Sequence, residues 1–316
     1  MSTGPDLETI RAAHARIAPY VHRTPVFTCA SLDERAGAKL FFKCENLQKA
    51  GSFKIRGATN AVFSLSPAEA ARGVVTHSSG NHAAALALAA RLRGIPAWIV
   101  IPSNAPGVKR EAVESYGGRV TECEPTLASR EAAARAIQER TGATLIHPYN
   151  DLRVIAGQAT AALEFLQDVP DLDVILAPVS GGGLLSGTAI AAKSLRPVIR
   201  VIGGEPRNAD DAYRSLTSGQ LAPAAKAETI ADGLRATLCE LTLQILRERV
   251  DEIALVGEEE IIAAMRLIWE RMKLVIEPSA AVPVEPALGR RIQIDGKKVG
   301  IILSGGNVDL ARLPFS

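Results

Sequence analysis

Cysteine is scarce in this chain and follows no pattern. Cys29, Cys44, Cys123 and Cys239 include no CxxC pair and no matching histidine spacing, so neither a disulfide framework nor a zinc site is expected. They read as reduced packing residues, because free cysteine is commonly buried. No apolar run reaches membrane-spanning length, and the opening "MSTGPDLETIRAAHARI" is polar and helical rather than signal-like. Charge of one sign is not in excess either. The formal net charge is +2, with basic and acidic residues alternating along the chain, which leaves no electrostatic footprint for nucleic acid. There is no internal repeat. The expectation is a cytoplasmic protein with a small-molecule partner and no nucleic-acid or membrane partner.

What is there suits a globular α/β protein. The 316 residues are 47 % hydrophobic and 22 % charged, enough for a large core in one or two domains. Short Val/Ile-rich runs alternate with helical patterns: "GVVTHS" leads into "NHAAALALAARLRG", "PAWIVIP" into "GVKREAVESYG", and "DVILAPV" into "LLSGTAIAAKSL". That order predicts two open, twisted, mostly parallel sheets with helices on both faces. The strands are continuously apolar, as covering on both faces requires. Residues 64–151 are expected to form a small domain, and 1–63 with 152–316 a large one. In such sheets ligands bind beyond the carboxyl ends of the strands, so the strand-to-helix turns should hold the chemistry.

Three turns stand out. In "AGSFKIRGATN" Ser52 can N-cap a helix, which puts Lys54 in its first turn, against the positive end of the dipole. That field and burial beside Phe53 favour the neutral amine that Schiff-base chemistry needs, although a surface lysine tolerating a weak field is an equal reading. In "VSGGGLLSG", Gly181, Gly182 and Gly183 let successive N–H groups face one point at a helix start, a cradle for phosphate. No Gly-Lys-Ser/Thr follows, so it is not a Walker A loop. Glu205 follows a strand at roughly the distance a ribose-binding acid needs, which keeps a nicotinamide enzyme open as a rival. In "SSGNHAAA", Ser78, Ser79, Asn81 and His82 surround another helix start, and "ILSGGNVDL" brings Ser304 to the same sheet edge. An amine, a phosphate cradle and hydrogen-bonding turns on one edge suit a phosphorylated aldehyde such as pyridoxal phosphate.

"GSFKIRGA", "SSGNH", "GGGLLSG", "EPRNADDAY", "ETIADG", "ERMKLVIEP" and "LSGGNVDL" resemble, in order, the motifs of the serine racemase and serine/threonine dehydratase family. The resemblance implies a fold type II pyridoxal-phosphate enzyme, with Lys54 as the residue that carries the cofactor. Phe53 is then expected against the pyridine ring, Asn81 at the ring hydroxyl, and Ser304 at the ring nitrogen. Gly181, Gly182, Gly183 and Leu184 are expected at the phosphate, and Gly233 along the pocket wall. Ser78, Asn81 and His82 are expected to hold the substrate carboxylate. Ser79 matches the second acid/base of racemases, although hydroxyaspartate dehydratases share it. Arg130 matches an arginine that reaches toward a substrate side-chain carboxylate in some relatives.

Glu205 and Asp211, with the carbonyl of Ala209, match the family's divalent-cation site, which implies Mg²⁺, or else Ca²⁺ or Mn²⁺. The implied activity is that of an ammonia-lyase on L-threonine or L-serine. The alternatives are 3-hydroxyaspartate dehydratase and a serine or aspartate racemase. A homodimer is implied as well. Lys49, Tyr116, Lys273 and Asn307 resemble parts of a nucleotide-effector site, but Ala83 and Ala84 depart from it, so activation by ATP is not expected. Tyr149 stands where some relatives carry a substrate-side asparagine. The chain stops soon after the last motif, so a feedback-regulatory domain is not expected.

Overall fold

A computed structural model describes residues 4–78, 80–105, 107–223 and 227–315. Ten strands form two sheets: β1 (Val26–Phe27), β2 (Lys39–Cys44), β3 (Val74–Thr76), β4 (Ala97–Pro102), β5 (Arg119–Cys123), β6 (Thr144–Leu145), β7 (Val174–Pro178), β8 (Arg200–Pro206), β9 (Glu252–Val256) and β10 (Lys298–Leu303). The larger sheet runs β1-β2-β10-β7-β8-β9 and the smaller β5-β4-β3-β6. Only the β1–β2 pairing is antiparallel. β10, the last strand, inserts between β2 and β7, with Ile301 opposite both Phe42 and Leu176. The continuously apolar strands are central ones: every residue of β7 is buried, as two covered faces require.

Because nearly all strands are parallel, their carboxyl ends line up. β2, β7, β8 and β10 deliver the segments holding Lys54, Gly181, Asp211 and Ser304, while β3, β5 and β6 deliver Asn81, Arg130 and Tyr149. The turns that carry Lys54, Asn81, Gly181 and Ser304 therefore lie at strand carboxyl ends.

The helix Lys54–Phe63 is held from below by side chains that sequence reading did not single out. Arg56 is fully buried and its guanidinium forks between two carboxylates. Nε and Nη2 donate to Glu45 at 2.7 and 2.8 Å, and Nη1 and Nη2 donate to Glu164 at 2.9 and 2.8 Å. Lys43, also fully buried, donates to Glu164 at 2.8 Å and to the Thr24 carbonyl at 2.8 Å. Two cations thus face two carboxylates. The same helix crosses Leu152–Asp168 closely: a Cβ on Gly57 would lie 2.8 Å from the Val154 carbonyl, and one on Gly157 would lie 2.6 Å from Gly57 Cα. Burial opposes the charge on Glu164, yet hydrogen bonds from His14 and Arg56 and the charges of Arg56 and Lys43 outweigh it and hold the carboxyl well below its ordinary range.

Removing one member of a buried pair strands its partner's charge. Glu164→Gln is therefore expected to cost about 3 kcal/mol or more in urea unfolding. Glu270→Gln, in an exposed pair with Arg266, is expected to cost under about 1 kcal/mol. Since Glu164 titrates lower folded than unfolded, its contribution is complete above the ordinary value of 4.5 and fades only as pH falls toward its folded value. The gap between wild type and E164Q should therefore close in acid.

Candidate active site

Lys54 opens its helix, but not through the expected cap. Ser52 is extended (φ −162°, ψ 161°) and bridges Gly305, Phe53 occupies the cap position, and no side chain caps the helix. The reason is sheet-like pairing: the Phe53 N–H donates to the Ser304 carbonyl at 3.0 Å, tying the turn to the end of β10. The Ser52 hydroxyl is left buried without a partner. Lys54 is partly exposed as a residue, yet protein encloses its amine, which donates to the Pro148 carbonyl at 3.2 Å and lies 5.1 Å from the Phe53 ring centre. Burial draws its pKa from 10.5 to about 8, with the charge of Glu277 partly opposing the fall.

The glycine turn is built for close approach. Gly182 has φ 88° and caps the helix Gly183–Leu195, whose first N–H groups have no intrahelical partner. A Cβ on Gly181 would lie 2.3 Å from the Tyr149 ring, and one on Gly182 would lie 2.7 Å from Thr242. Only residues without side chains fit at these two positions. The Ser180 hydroxyl staples this loop to Ala236, donating to its carbonyl at 2.8 Å and accepting its N–H at 2.9 Å.

Across the cleft the helix Asn81–Arg93 begins after Gly80 with no side-chain cap. Ser78 is half-buried, its hydroxyl 3.5 Å from the Gly80 amide. Ser79 lies outside the described residues. The ring of His82, expected at the substrate, points elsewhere: it is 2 % exposed, and its Nε2 donates to the Ile146 carbonyl at 3.1 Å. Burial pushes its pKa down to about 3, so the ring is neutral and can serve substrate only through its backbone N–H. His147, pushed down to about 4 by burial, is neutral too, and its Nδ1 accepts the Asn150 N–H at 2.9 Å. Tyr149 stacks edge-on against His147 at 4.6 Å, with its phenol raised to about 12 by burial.

Arg130 sits on the helix Leu127–Thr141, and among the described residues it forms no ion pair. Its Nε is buried without a partner, and its charge is felt at His77 and Tyr149, so it faces the cleft. Gly233 is exposed, with its N–H donating to the Ser279 hydroxyl at 3.1 Å. Ser304 is buried at the end of β10.

One residue at the centre was missed. Glu277 is 4 % exposed and accepts from Asn81 Nδ2 at 2.9 and 3.1 Å. It lies within "ERMKLVIEP", but an acid far from Lys54 in the chain carries no local sign of where it will fold.

On the large-sheet side, Glu205 is fully buried at the end of β8 and accepts the Ala212 and Tyr213 N–H groups, each at 2.8 Å. Asp211 accepts the Leu238 N–H at 3.0 Å. Burial raises Glu205 to about 8 and Asp211 to about 6, with Asp210 adding to both. Ala209 is buried in the turn between them. Among the described residues no cluster of three or more acidic, histidine or cysteine side chains gathers to hold a metal. The donor set here is two carboxylates and a nearby carbonyl-bearing turn, all oxygen, which suits a hard cation completed by water.

Comparison with known proteins agrees with this geometry. The chain is 50 % identical over 312 residues to the "beta-hydroxyaspartate dehydratase" of Paracoccus denitrificans, covering 99 % of both. The structure of maize serine racemase superposes with a TM-score of 0.96 at 50 % identity, over 98 % of this chain and 95 % of that one. The serine racemase structure from Dictyostelium discoideum follows with 0.93 at 52 %, over 96 % and 99 %. Residues 17–305 match the model of the family described as pyridoxal-phosphate dependent enzyme. With the match spanning the enclosed Lys54 amine, the glycine cradle and both sheets, the chain belongs to the pyridoxal-phosphate dependent enzymes.

Proposed function

We propose that the protein is a pyridoxal-phosphate ammonia-lyase that eliminates the hydroxyl of a β-hydroxy amino acid, releasing a 2-keto acid and ammonia. The observation that carries this reading is the enclosed Lys54 amine, its pKa drawn down to about 8 by burial, at a cleft that also holds a side-chain-free phosphate cradle. The cofactor, when bound, draws electrons from the substrate's α-carbon. Lys54 Nζ is the base placed to take the α-proton. The amides of Gly181 to Leu184 and the dipole of their helix hold phosphate. Opposite, the N–H groups of Asn81 and His82 at a helix start hold the substrate carboxylate, with the Ser78 hydroxyl beside them. Ser304 offers the ring nitrogen a neutral hydroxyl. Neutral His82 and His147 add no competing charge near Lys54.

The side-chain pocket favours a substrate with a second carboxylate. Arg130 brings an unpaired guanidinium to the cleft, and a bidentate carboxylate is its natural complement. This supports 3-hydroxyaspartate, giving oxaloacetate, ahead of L-threonine and L-serine. Racemisation of serine or aspartate is the second reading, and it depends on Ser79.

Glu205, Asp211 and the Ala209 carbonyl are the seat we infer for Mg²⁺, supported by two buried carboxylates and an all-oxygen donor set. A homodimer is supported by exposed Leu47, Val275 and Leu310 on neighbouring segments, joined where Asn46 donates to Val275 and Asn307 to Ala50. All four cysteines are unpaired, which suits the reducing cytoplasm.

Three outcomes test these readings. Cofactor-free protein given pyridoxal phosphate should regain its visible band at a rate that rises with pH and levels off above about 8 rather than near 10.5, because only the neutral amine attacks. With matched panels of L-serine, L-threonine and the 3-hydroxyaspartate stereoisomers, keto-acid release should be fastest from one hydroxyaspartate. Arg130→Ala should lower kcat/KM for that substrate by about 100-fold, or about 2.7 kcal/mol, and leave serine nearly unchanged. Fastest release of oxobutyrate from threonine would return Arg130 to a helix-surface role. Mg²⁺ at about 100 times its Kd should add about 2.7 kcal/mol of stability, reversed by chelator and absent in Asp211→Asn.

A further inference from the structure

Asn81 has a choice of orientation, since its amide oxygen and nitrogen are nearly the same shape. Its surroundings remove that choice. On one side stands the Glu277 carboxylate, 2.9 and 3.1 Å away, and an ionised carboxylate only accepts, so the NH₂ must face it. On the other side Asn307 Nδ2 donates to Asn81 Oδ1 at 3.0 Å while holding the Ala50 carbonyl at 2.8 Å. The amide oxygen thus accepts from Asn307, and since the NH₂ carries two N–H groups, one can serve the carboxylate and the other a bound oxygen.

Glu277 is itself rigidly placed. Its backbone N–H donates to the Gly305 carbonyl at 3.0 Å, and Pro278 follows at once. A Cβ on Gly305 would lie 2.6 Å from its Oε1, so the last glycine turn closes directly on the carboxylate. Around the Lys54 amine the other titratable groups are His82 from the Asn81 helix and His147 from the segment after β6, both neutral, with the neutral Tyr149 phenol beyond. Glu277 is the charged group acting on Lys54.

We propose that Glu277 is a positioning residue for the cofactor: together with Asn307 it fixes the Asn81 amide so that an N–H meets an oxygen of the bound cofactor, and, standing against the Gly305–Ser52 bridge two residues before Lys54, it sets a negative charge on the turn that carries that lysine. The proposal rests on the reading of Lys54 as the cofactor-bearing residue. It adds to the expectation from the sequence, which placed Asn81 at the ring hydroxyl and gave Glu277 no role.

The two functions separate by variant. Glu277→Gln keeps an acceptor for Asn81 but removes the charge. Its holoenzyme should show the pH midpoint of the visible cofactor band moved down by about 1–3 units, since a cation on the Lys54 nitrogen has lost its opposite charge. An unmoved midpoint overturns the electrostatic half. Asn307→Ala frees the Asn81 oxygen and should weaken cofactor binding in equilibrium dialysis by about tenfold without moving the midpoint. Unchanged affinity overturns the orienting half. If E277Q does not fold, Glu277→Asp takes its place: the shorter side chain withdraws the charge, and the midpoint should shift in the same direction by less, with no shift counting against the proposal. Wild type without a borohydride-sensitive band that disappears in Lys54→Ala would instead overturn the cofactor assignment.

Discussion

The guanidinium of Arg56 is the constraint from which the position of Lys54 follows. Both residues lie in the first turn of one helix, so fixing one fixes the other to within a side-chain rotation. Arg56 forks between Glu45, just past β2, and Glu164 on the helix Leu152–Asp168, and Lys43 balances the second carboxylate. A buried ion network is a weak guarantee of stability, because desolvation offsets much of its attraction. Its value here is registry. The Lys54 helix cannot slide along its neighbour without stranding a charge, and the Gly57–Gly157 crossing brings the two backbones too close for other packings.

With the helix fixed, the site follows from what surrounds its amine. Enclosure by Pro148 and Phe53 lowers the proton affinity of Lys54, and Glu277 restores part of it. Desolvation is the larger effect, so the amine gives up its proton far more readily than a free lysine does. The two histidines nearest it are buried enough to stay uncharged, which prevents them from driving its pKa lower still. Among the described residues Glu277 is thus the carboxylate whose charge reaches Lys54, while Arg130, Glu131 and Asp211 act on Tyr149 farther out.

Much of this was legible in the chain because its signals are local. Strand runs such as "PAWIVIP" and "DVILAPV" became β4 and β7 nearly residue for residue, and the glycine turn and Lys54 fell at strand carboxyl ends. What failed depended on distant partners. Ser52 carries a good capping side chain, but pairing with Gly305 took its backbone into an extended conformation. His82 stands in a binding motif, yet the Ile146 carbonyl claimed its ring. Glu277, Glu45 and Glu164 look like ordinary acids until the fold buries them against Asn81 and Arg56. No periodicity marks an acid whose partner lies on another element.

Tyr149 shows how tightly the cofactor seat and the substrate pocket are joined. Its ring lies where a Cβ of Gly181 would be, so the first amide of the phosphate cradle has the tyrosine for a wall. The same ring senses Arg130 across the cleft and is held upright by His147. An asparagine at this position, as in some related enzymes, would leave a void against the cradle and shift the reach of Arg130 at once. Selectivity for the substrate's β-substituent therefore cannot be tuned by Arg130 alone. On the reading proposed above, the same ring borders the phosphate loop, so a substitution at position 149 acts on the cofactor seat and the substrate pocket at once.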